Sequence, residues 1–168
     1  QQVAKRGRPK GSGGNERKDL SWNGNENLLP GDRGRYLRHA LASWDLPVIA
    51  ISSLQALAQS AYRILEHSSV ISVFDARMNE VYLGAYRVQA GLMQAVIEER
   101  VCSPQQLSSI PQEDWALVGD GASYLATIEP QINTIVASKA DFYPHAFDVA
   151  VLAQQAWQDG LAQAPELA

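Results

Sequence analysis

The sequence has little of what a disulfide-rich, membrane-spanning or secreted protein needs. Its single cysteine, Cys102, excludes an internal disulfide framework. It contains no apolar run of about 18 residues, and no apolar segment follows the basic residues near its start, so neither a membrane span nor a signal peptide is predicted. We therefore expect a cytoplasmic protein that does not bind membranes.

Residues that could carry catalysis or hold a metal are also scarce. The three histidines, His39, His67 and His145, are too far apart for the spacing that places two ligands on one helix face. Ser123 does not lie in a G-x-S-x-G elbow, and Cys102 has no histidine nearby in the sequence to serve as its base. The residues alone predict neither a catalytic group nor a metal site.

The charge of the chain is divided unevenly along its length. Residues 1–38 carry nine Lys and Arg against four Asp and Glu, whereas residues 39–168 carry five against fourteen. Because nucleic acids are bound through clusters of positive charge, the acidic body is not expected to bind them through a broad surface. Any contact with nucleic acid by the body is predicted to be indirect.

Residues 1–43 are predicted to form a disordered or non-native basic tail, because they contain few apolar side chains to offset the entropy of ordering. Within this tail, residues 5–10 (KRGRPK) resemble the core of an AT-hook, in which an extended Arg-Gly-Arg lies in a narrow A/T minor groove. Minor-groove DNA binding through these residues is therefore an alternative function. A solvated basic tail is the simpler interpretation of so short a motif.

The segment Val70–Val101 predicts a β-meander. Its first apolar run, Val70–Phe74, is rich in β-branched residues, as is typical of a strand covered on both faces. The second run, Val81–Val88, alternates between two faces. Polar residues at Ala76–Glu80 predict a loop, and Gln89–Gly91 predicts a second turn with glycine where positive φ is favoured.

The remaining pattern predicts a partial α/β domain over residues 44–168, with a mixed sheet covered by four helices. Apolar runs and turn signals delimit the elements outside the meander. Strands are predicted over residues 47–51, 115–118 and 132–136, and helices over residues 52–66, 103–109, 122–128 and 144–158. The last helix has Gly160 as its C-cap, and its apolar stripe consists of Val149, Leu152, Ala153 and Ala156.

The helix predicted over residues 52–66 begins with a capping box, formed by Ser52 and Gln55. Its apolar side chains recur at helical spacing, which favours core packing over a role limited to partner binding. Both roles remain open for this stripe. The stripe consists of Leu54, Leu57, Ala58, Ala61 and Leu65.

Two polar motifs have both a structural and a functional interpretation. Gly119-Asp120-Gly121 joins a strand to a helix, where phosphates often bind, but it lacks the Lys, Ser or Thr of a P-loop, and Asp120 would repel a phosphate. We expect a structural turn. Asp75 and Arg77 could orient a ligand, but stabilisation of the hairpin loop, as an ion pair or by capping backbone donors, is the simpler interpretation.

The segment DARMNEVY, which contains Asp75, Arg77, Glu80 and Tyr82, is similar to the D-A-R-x-x-E-V-Y hairpin of the TsaB (YeaZ) family. LPVIAISSLQALAQ upstream and VGDGA downstream resemble further parts of that family, and the resemblance extends from Trp44 to about Gly160. The family's upstream Asp-Thr strand, its Gly-Pro-Gly-Ser-Phe-Thr-Gly loop and its downstream Pro-x-Tyr-Leu-Arg motif are not found. We therefore expect a chain truncated at both ends relative to that family.

The resemblance implies a partial actin-like ATPase (ribonuclease H-like) fold. It further implies a non-catalytic subunit that pairs with TsaD, acting with TsaE to form N6-threonylcarbamoyladenosine at position 37 of tRNAs reading ANN codons. No cofactor of its own is implied, although a nucleotide could lie at the complex interface. The alternative within this superfamily is an autonomous nucleotide-dependent kinase or hydrolase.

The resemblance also assigns roles to the two sets of residues. The apolar stripe of the 52–66 helix lies where the family pairs with TsaD, and without a first lobe part of that stripe is expected to be uncovered, so that the chain homodimerises when TsaD is absent. The hairpin and junction residues are implied to be structural. These are Asp75, Arg77, Glu80, Tyr82, Gly119, Asp120 and Gly121.

Overall fold

The apolar runs of the chain build a mixed sheet with helices packed on it. The computed structural model describes residues 46–107, 110–111, 113–132 and 134–164. The predicted basic tail of residues 1–43 lies outside the described residues. The elements are α1 (Ser53–Leu65), β1 (Ser69–Arg77), β2 (Glu80–Gln89), β3 (Leu92–Ala95), β4 (Arg100–Cys102), β5 (Trp115–Val118), α2 (Leu125–Ile128), β6 (Ile135–Lys139) and α3 (Ala146–Gln158), with 3₁₀ helices at Asp120–Tyr124 and Glu129–Gln131.

Over the described residues the sheet has six strands, and its main path runs in the order β3-β2-β1-β5-β6, with β4 also paired to β2. The β1–β2, β2–β3 and β2–β4 pairs are antiparallel, whereas β1–β5 and β5–β6 are parallel. The predicted meander therefore supplies β1 to β4, four of these six strands, and β5 and β6 extend the sheet. The α/β class and the mixed sheet expected from the sequence are confirmed.

The first hairpin is tighter than the sequence predicted. Met78 and Asn79 form its loop, and β1 continues to Arg77, where a bulge between Asp75 and Arg77 shifts the register. Arg77, Met78 and Asn79 all have positive φ, which lets two residues reverse the chain where five were expected. The second turn has positive φ at Ala90 and Gly91, as the glycine there indicated.

Helix α1 is fixed to strand β3 by two glutamine side chains. Ser52 caps the helix by accepting from the backbone N–H of Gln55, as predicted, but the Gln55 amide donates to the carbonyl of Met93 at 2.8 Å. Gln59 donates to the carbonyl of Gly91 at 3.1 Å and accepts from the Met93 N–H at 2.8 Å. The backbone groups of this short strand and of the turn before it thus form hydrogen bonds to helix side chains as well as within the sheet.

The core has two parts, one on each face of the sheet. On the face covered by α1, the buried residues are Leu54, Leu57, Ala58, Ala61, Val70, Tyr86, Met93, Val118 and Phe142. The opposite face is covered by the segments that follow β4 and β5. Its buried residues are Ile71, Val73, Val81, Leu83, Ala85, Leu107, Ile110, Trp115, Leu117, Ala122, Ile128 and Ile132.

Two elements predicted from the sequence are absent from the described residues. The strand expected over residues 47–51 is a single bridge, in which the N–H and C=O of Val48 pair with Gln163. The helix expected over residues 103–109 is a turn over its described part, residues 103–107. The reason is that the backbone N–H of Leu107 is held by the Gln131 side chain, which also donates to the Pro104 carbonyl.

Three further boundaries differ from the sequence prediction. The strand expected over residues 132–136 lies at Ile135–Lys139, because Ile132 closes the preceding 3₁₀ turn, where its backbone N–H donates to the Glu129 carbonyl at 3.2 Å. The helix expected over residues 122–128 is 3₁₀ before it becomes α2. The last helix begins at Ala146, after His145 as its N-cap.

The end of α3 follows the prediction closely. Gly160 has φ 74°, its N–H donates to the Trp157 carbonyl at 3.1 Å, and the N–H of Leu161 donates to the Ala156 carbonyl at 2.9 Å. These two bonds form a Schellman motif, which satisfies carbonyls that the helix leaves free. Gly160 is therefore the C-terminal cap that the sequence indicated.

Candidate functional site

The carboxyl ends of the parallel strands β1 and β5 bring the two predicted polar motifs together. The backbone N–H of Asp75 donates to Oδ1 of Asp120 at 2.9 Å, and Oδ1 of Asp75 accepts from the N–H of Arg77 at 2.8 Å. Each of the two carboxylates therefore accepts a hydrogen bond from a backbone N–H group. The capping role, one of the two structural interpretations of Asp75, is the one that the geometry favours.

The glycines of the junction are packed directly against β1. A β-carbon at Gly119 would lie 2.2 Å from the carbonyl oxygen of Val73, and φ of Gly119 is +105°. A β-carbon at Gly121 would lie 2.5 Å from Cγ1 of Val73. Only glycine fits at either position, because the turn and the strand approach closely. The structural interpretation of Gly119-Asp120-Gly121 is the one that this packing supports.

The other two residues of the predicted structural motif lie on the hairpin itself. Glu80 is the cross-strand neighbour of Arg77 beyond the bulge, and Tyr82 pairs with Phe74 on one side and Val101 on the other. Tyr82 is about half exposed, so its ring lies on the sheet surface. The hairpin and the junction form one continuous structural unit.

The apolar stripe of α1 lies in the core. Leu57, Ala58 and Ala61 are fully buried, and Leu54 is nearly so, because the sheet residues Val70, Tyr86 and Met93 pack against them; Leu65 is partly buried. The core-packing interpretation is therefore confirmed. The expectation that part of the stripe is uncovered is wrong for these four residues, since the sheet occupies the space that a partner would need.

A polar cluster between α1 and α3 was not predicted from the sequence. Asp148 is 1% exposed, and its carboxylate accepts two hydrogen bonds from Arg63, at 2.8 and 2.7 Å, and one from Ser60 at 2.7 Å. The Ser60 hydroxyl is fully buried and accepts from the backbone N–H of His145. These charge-assisted hydrogen bonds join α1 to α3.

The cluster sets the ionisation of its members. Burial by itself raises the pKa of Asp148, but the hydrogen bonds from Arg63 and Ser60 and the charges of Arg63 and His145 outweigh it, so that the pKa lies below the usual range. The same hydrogen bond raises the pKa of Arg63. The sequence signal for this pair was weak: Asp148 lies four residues before buried Leu152, on the inner side of α3.

The predicted stripe of α3 is therefore partly wrong. Leu152 is buried, as expected, and Ala153 and Ala156 are half-buried, but Val149 is exposed and the buried position is taken by Asp148. The reason is that the bidentate ion pair with Arg63 fixes the rotation of α3. Sequence periodicity weighs apolar residues and misses a charged residue that is buried with its partner.

A groove of about 430 Å³ runs beside this cluster on the outer side of the two helices. The guanidinium of Arg63 lies over the ring of Phe147, 5.1 Å from its centroid. Phe147 is nevertheless largely exposed. The groove is lined by Gln59, Tyr62, Arg63, Glu66, Phe147, Asp148 and Val151.

The described residues contain no cluster of three or more His, Cys, Asp or Glu that could hold a metal ion. Over the same residues, none of the helices is both long enough and apolar enough to cross a membrane. The free thiol of Cys102 lies half-buried at the end of β4.

The mixed sheet with its covering helices is shared with solved structures and with a family model, described next, that belong to the actin-like ATPase fold, and the chain has this fold. A model of the TsaD family, described as tRNA N6-adenosine threonylcarbamoyltransferase, matches residues 38–168, and the chain belongs to this family.

Curated relatives carry a more specific name within this family. The chain is 41% identical over 99 residues to the tRNA threonylcarbamoyladenosine biosynthesis protein TsaB of Haemophilus influenzae, a match that covers 53% of the chain and 42% of that protein. It is 29% identical over 126 residues to TsaB of Escherichia coli, covering 73% of the chain and 54% of that protein. The chain thus spans about half the length of these relatives, and the resemblance to the TsaB family is confirmed.

Two solved structures from Pseudomonas aeruginosa share the fold. One is described as YeaZ and aligns with a TM-score of 0.75 at 36% identity, covering 81% of this chain and 64% of that chain. The other is described as similar to peptidase YeaZ and aligns with a TM-score of 0.75 at 35% identity, covering 81% and 63%.

Proposed function

We propose that the chain is part of a non-catalytic subunit that pairs with TsaD and, with TsaE, supports the formation of N6-threonylcarbamoyladenosine at position 37 of tRNAs reading ANN codons. The names of the curated relatives support the pathway. A cytoplasmic location belongs to the proposal for the same reason.

One observation carries the non-catalytic part of the proposal. At the strand–helix junction, where a phosphate would be bound, the carboxylate of Asp120 accepts from the backbone N–H of Asp75, and Gly119 is pressed against Val73. A phosphate at this turn would meet a carboxylate and strand backbone instead of free N–H groups. This geometry supports a structural role for the junction and disfavours an autonomous nucleotide-dependent kinase or hydrolase.

The stripe of α1 enters the proposal in an indirect role. Leu57 and Ala61 hold α1 against the sheet, so a contact of α1 with TsaD uses its outer side, where Ile64 is 41% exposed. Ile64→Glu is expected to weaken TsaD binding with little change in melting temperature. Ala61→Glu is expected to lower the melting temperature strongly, because it places a charge in the core. Retained TsaD binding by the Ile64→Glu chain would remove α1 from the interface.

Reconstitution tests the function itself. The chain, TsaD and TsaE are mixed with tRNA and a threonylcarbamoyl donor, and modified adenosine is measured in the tRNA. We expect modification that depends on the chain together with TsaD, and none with the chain alone. Modification by the chain without TsaD would contradict the non-catalytic role.

Calorimetry with ATP and magnesium tests the cofactor part of the proposal, which is that the chain holds no nucleotide of its own. We expect no binding in the micromolar range by the isolated chain. One tight site per chain would favour the enzymatic alternative.

A further inference from the structure

Arg63 lines the groove between α1 and α3, and one of its hydrogen-bonding edges is not used by any described residue. A guanidinium group carries five N–H donors, arranged so that two different edges can each bind a carboxylate through two parallel hydrogen bonds. Asp148 takes the edge formed by Nε and Nη2, at 2.8 and 2.7 Å. Within the described ranges, the edge formed by Nη1 and the other hydrogen of Nη2 has no partner, and the side chain is 37% exposed. This second edge is available to another carboxylate.

The guanidinium of Arg63 is held in place before any ligand arrives. Its two hydrogen bonds go to a carboxylate that is itself fixed, because Asp148 is buried and also accepts from Ser60 at 2.7 Å. One face of the group lies over the ring of Phe147, 5.1 Å from its centroid. A side chain that is ordered before binding loses less entropy when a ligand binds. Arg63 is therefore better prepared to bind a carboxylate than an arginine that rotates freely on the surface.

Glu66 supplies a second charged group at the same groove. It caps the C-terminal end of α1, one turn after Arg63, and both residues line the groove. Glu66 is exposed, and within the part of the chain that the structure describes its carboxylate forms neither a hydrogen bond nor an ion pair. By contrast, the carboxamide of Gln59 is already used, because it bonds to the backbone of Gly91 and Met93. The groove thus offers one positive and one negative group that are neighbours.

The other walls of the groove are largely apolar. Tyr62 and Val151 are half-buried beside it, and Phe147 is largely exposed there. The volume of about 430 Å³ lies within the roughly 300–1,000 Å³ that is typical of small-molecule sites. Such sites usually combine apolar walls with a few polar groups that fix the orientation of the ligand. A ligand that fits this groove therefore carries a large apolar group as well as its charges.

We propose that this groove binds a free α-amino acid with a large apolar side chain. The carboxylate of the ligand pairs with the open edge of Arg63, and its ammonium group lies beside the carboxylate of Glu66. Its side chain packs between Tyr62, Phe147 and Val151. The site shares no residue with the hairpin or the strand–helix junction, and its occupancy does not depend on TsaD or on the proposed function.

The charge of the chain favours a zwitterion over a simple anion. Residues 39–168 carry five Lys and Arg against fourteen Asp and Glu, so a ligand with net negative charge is repelled. Glu66 adds to this repulsion beside Arg63, whereas a free amino acid has no net charge and places its two charged groups close together. A peptide carboxyl terminus lacks the ammonium group, and a peptide amino terminus lacks the carboxylate. Neither can therefore pair with both Arg63 and Glu66.

An NMR titration of the isotope-labelled full chain with L-phenylalanine tests the proposal, because shifts of the backbone amides give both the affinity and the place of binding. We expect saturable shifts centred on residues 59–66 and 147–151. Phenylpropionate, which lacks the ammonium group, and phenethylamine, which lacks the carboxylate, are each expected to bind at least about tenfold more weakly. N-acetyl-L-phenylalanine, which imitates a peptide carboxyl terminus, is expected to be weakened to the same extent.

Two substitutions of exposed residues test the walls and the charges separately. Phe147→Ala removes an apolar wall and is expected to weaken L-phenylalanine binding at least about tenfold. Trp157→Ala is the matched control, because Trp157 is an exposed aromatic residue of the same helix that does not line the groove, and binding is expected to be unchanged. Glu66→Gln is expected to weaken L-phenylalanine and strengthen phenylpropionate, so that the two bind with similar affinity.

Arg63→Lys tests the open edge itself. Lysine keeps the positive charge but has no planar fork, so binding of L-phenylalanine is expected to be lost. Because Arg63 also holds Asp148, the melting temperature of this variant shows whether it is folded. The Phe147 and Glu66 variants keep the test decisive if it is not.

Several outcomes would overturn the proposal. L-phenylalanine could give no saturable shifts, or shifts that lie away from the groove, or binding that Phe147→Ala leaves unchanged. Equal affinities of the original chain for L-phenylalanine and phenylpropionate would remove the role of Glu66. Equal binding of N-acetyl-L-phenylalanine would assign the groove to a peptide carboxyl terminus instead of a free amino acid. None of these results bears on tRNA modification, which the reconstitution measures separately.

Discussion

The ring of Tyr86 lies across the backbone of Gly84, two residues earlier on β2. A β-carbon at Gly84 would lie 2.5 Å from the hydroxyl oxygen of Tyr86 and 2.7 Å from Cε2 of its ring. Tyr86 is buried under α1, and its hydroxyl donates to the carboxylate of Glu99. Burial and this hydrogen bond raise the pKa of Tyr86 far above its ordinary value, so the hydroxyl remains a donor.

Gly84→Ala is expected to destabilise the chain by about 1–3 kcal/mol, because the added methyl group must displace a buried ring. Chemical denaturation measures the change. If the contact with the Tyr86 ring causes this loss of stability, the loss must depend on the ring. The same substitution is therefore made in a Tyr86→Leu background. We expect the cost of Gly84→Ala to fall there, and an equal cost in both backgrounds would contradict this account.

The junction glycine makes a sharper prediction. Gly119→Ala is expected to cost more than about 3 kcal/mol, since it combines positive φ with a contact of 2.2 Å to the Val73 carbonyl, which belongs to a central strand and cannot move easily. Gly160→Ala is the control, because Gly160 has φ +74° but nothing within 4 Å of a β-carbon. It is expected to cost about 1–2 kcal/mol from the backbone alone. Similar melting temperatures for both variants would show that the close packing matters little.

Local patterns were sufficient to predict much of the fold. The alternation of Val81, Leu83 and Ala85 placed all three on one face, and all three are buried there. The serine of the capping box and the glycine after α3 marked the helix ends correctly. These features depend on neighbours in the sequence, which is why the sequence alone reveals them.

The features that could not be predicted depend on contacts between distant residues. The helix expected after Ser103 fails because Gln131, far along the chain, takes the N–H of Leu107. The orientation of α3 follows from the pair of Asp148 with Arg63, 85 residues apart. For the same reason periodicity could show that the α1 stripe was apolar but not whether the sheet or a partner covered it.

Two buried serines provide a matched pair for a third prediction. Ser60 donates to Asp148 and accepts from the N–H of His145, so Ser60→Ala leaves buried polar groups unpaired and is expected to cost about 1–3 kcal/mol. Ser72 is equally buried on β1, but its hydroxyl has no hydrogen-bond partner in the described part of the chain. Ser72→Ala is therefore expected to be neutral or stabilising. Denaturation curves give the free energy of unfolding of the two variants. A larger loss of stability for Ser72→Ala than for Ser60→Ala would contradict the hydrogen-bonding roles given to the two serines.

The pairing of Asp148 predicts how stability depends on pH. Because the pKa of Asp148 is lower in the folded than in the unfolded chain, the folded state holds the proton less tightly, and the group stabilises the fold when it is ionised. This contribution is fully present above the unfolded pKa, near the model-compound value of 3.8, and is lost as the pH falls through the lower pKa of the folded state. We therefore expect the free energy of unfolding to decrease on acidification below about pH 4.

Asp148→Asn separates this carboxylate from the others. The amide keeps the size of the side chain but cannot ionise, so the variant is expected to be less stable at neutral pH and to lose less stability on acidification than the original chain. Asp159→Asn is the matched control, because Asp159 is exposed just beyond α3, where its carboxylate accepts from the amide of Gln155. Urea denaturation from pH 3 to pH 7 gives the two curves. If the acid limb of the Asp148→Asn variant runs parallel to that of the original chain, the acid sensitivity arises from other carboxylates, and the buried pair between α1 and α3 is not its source.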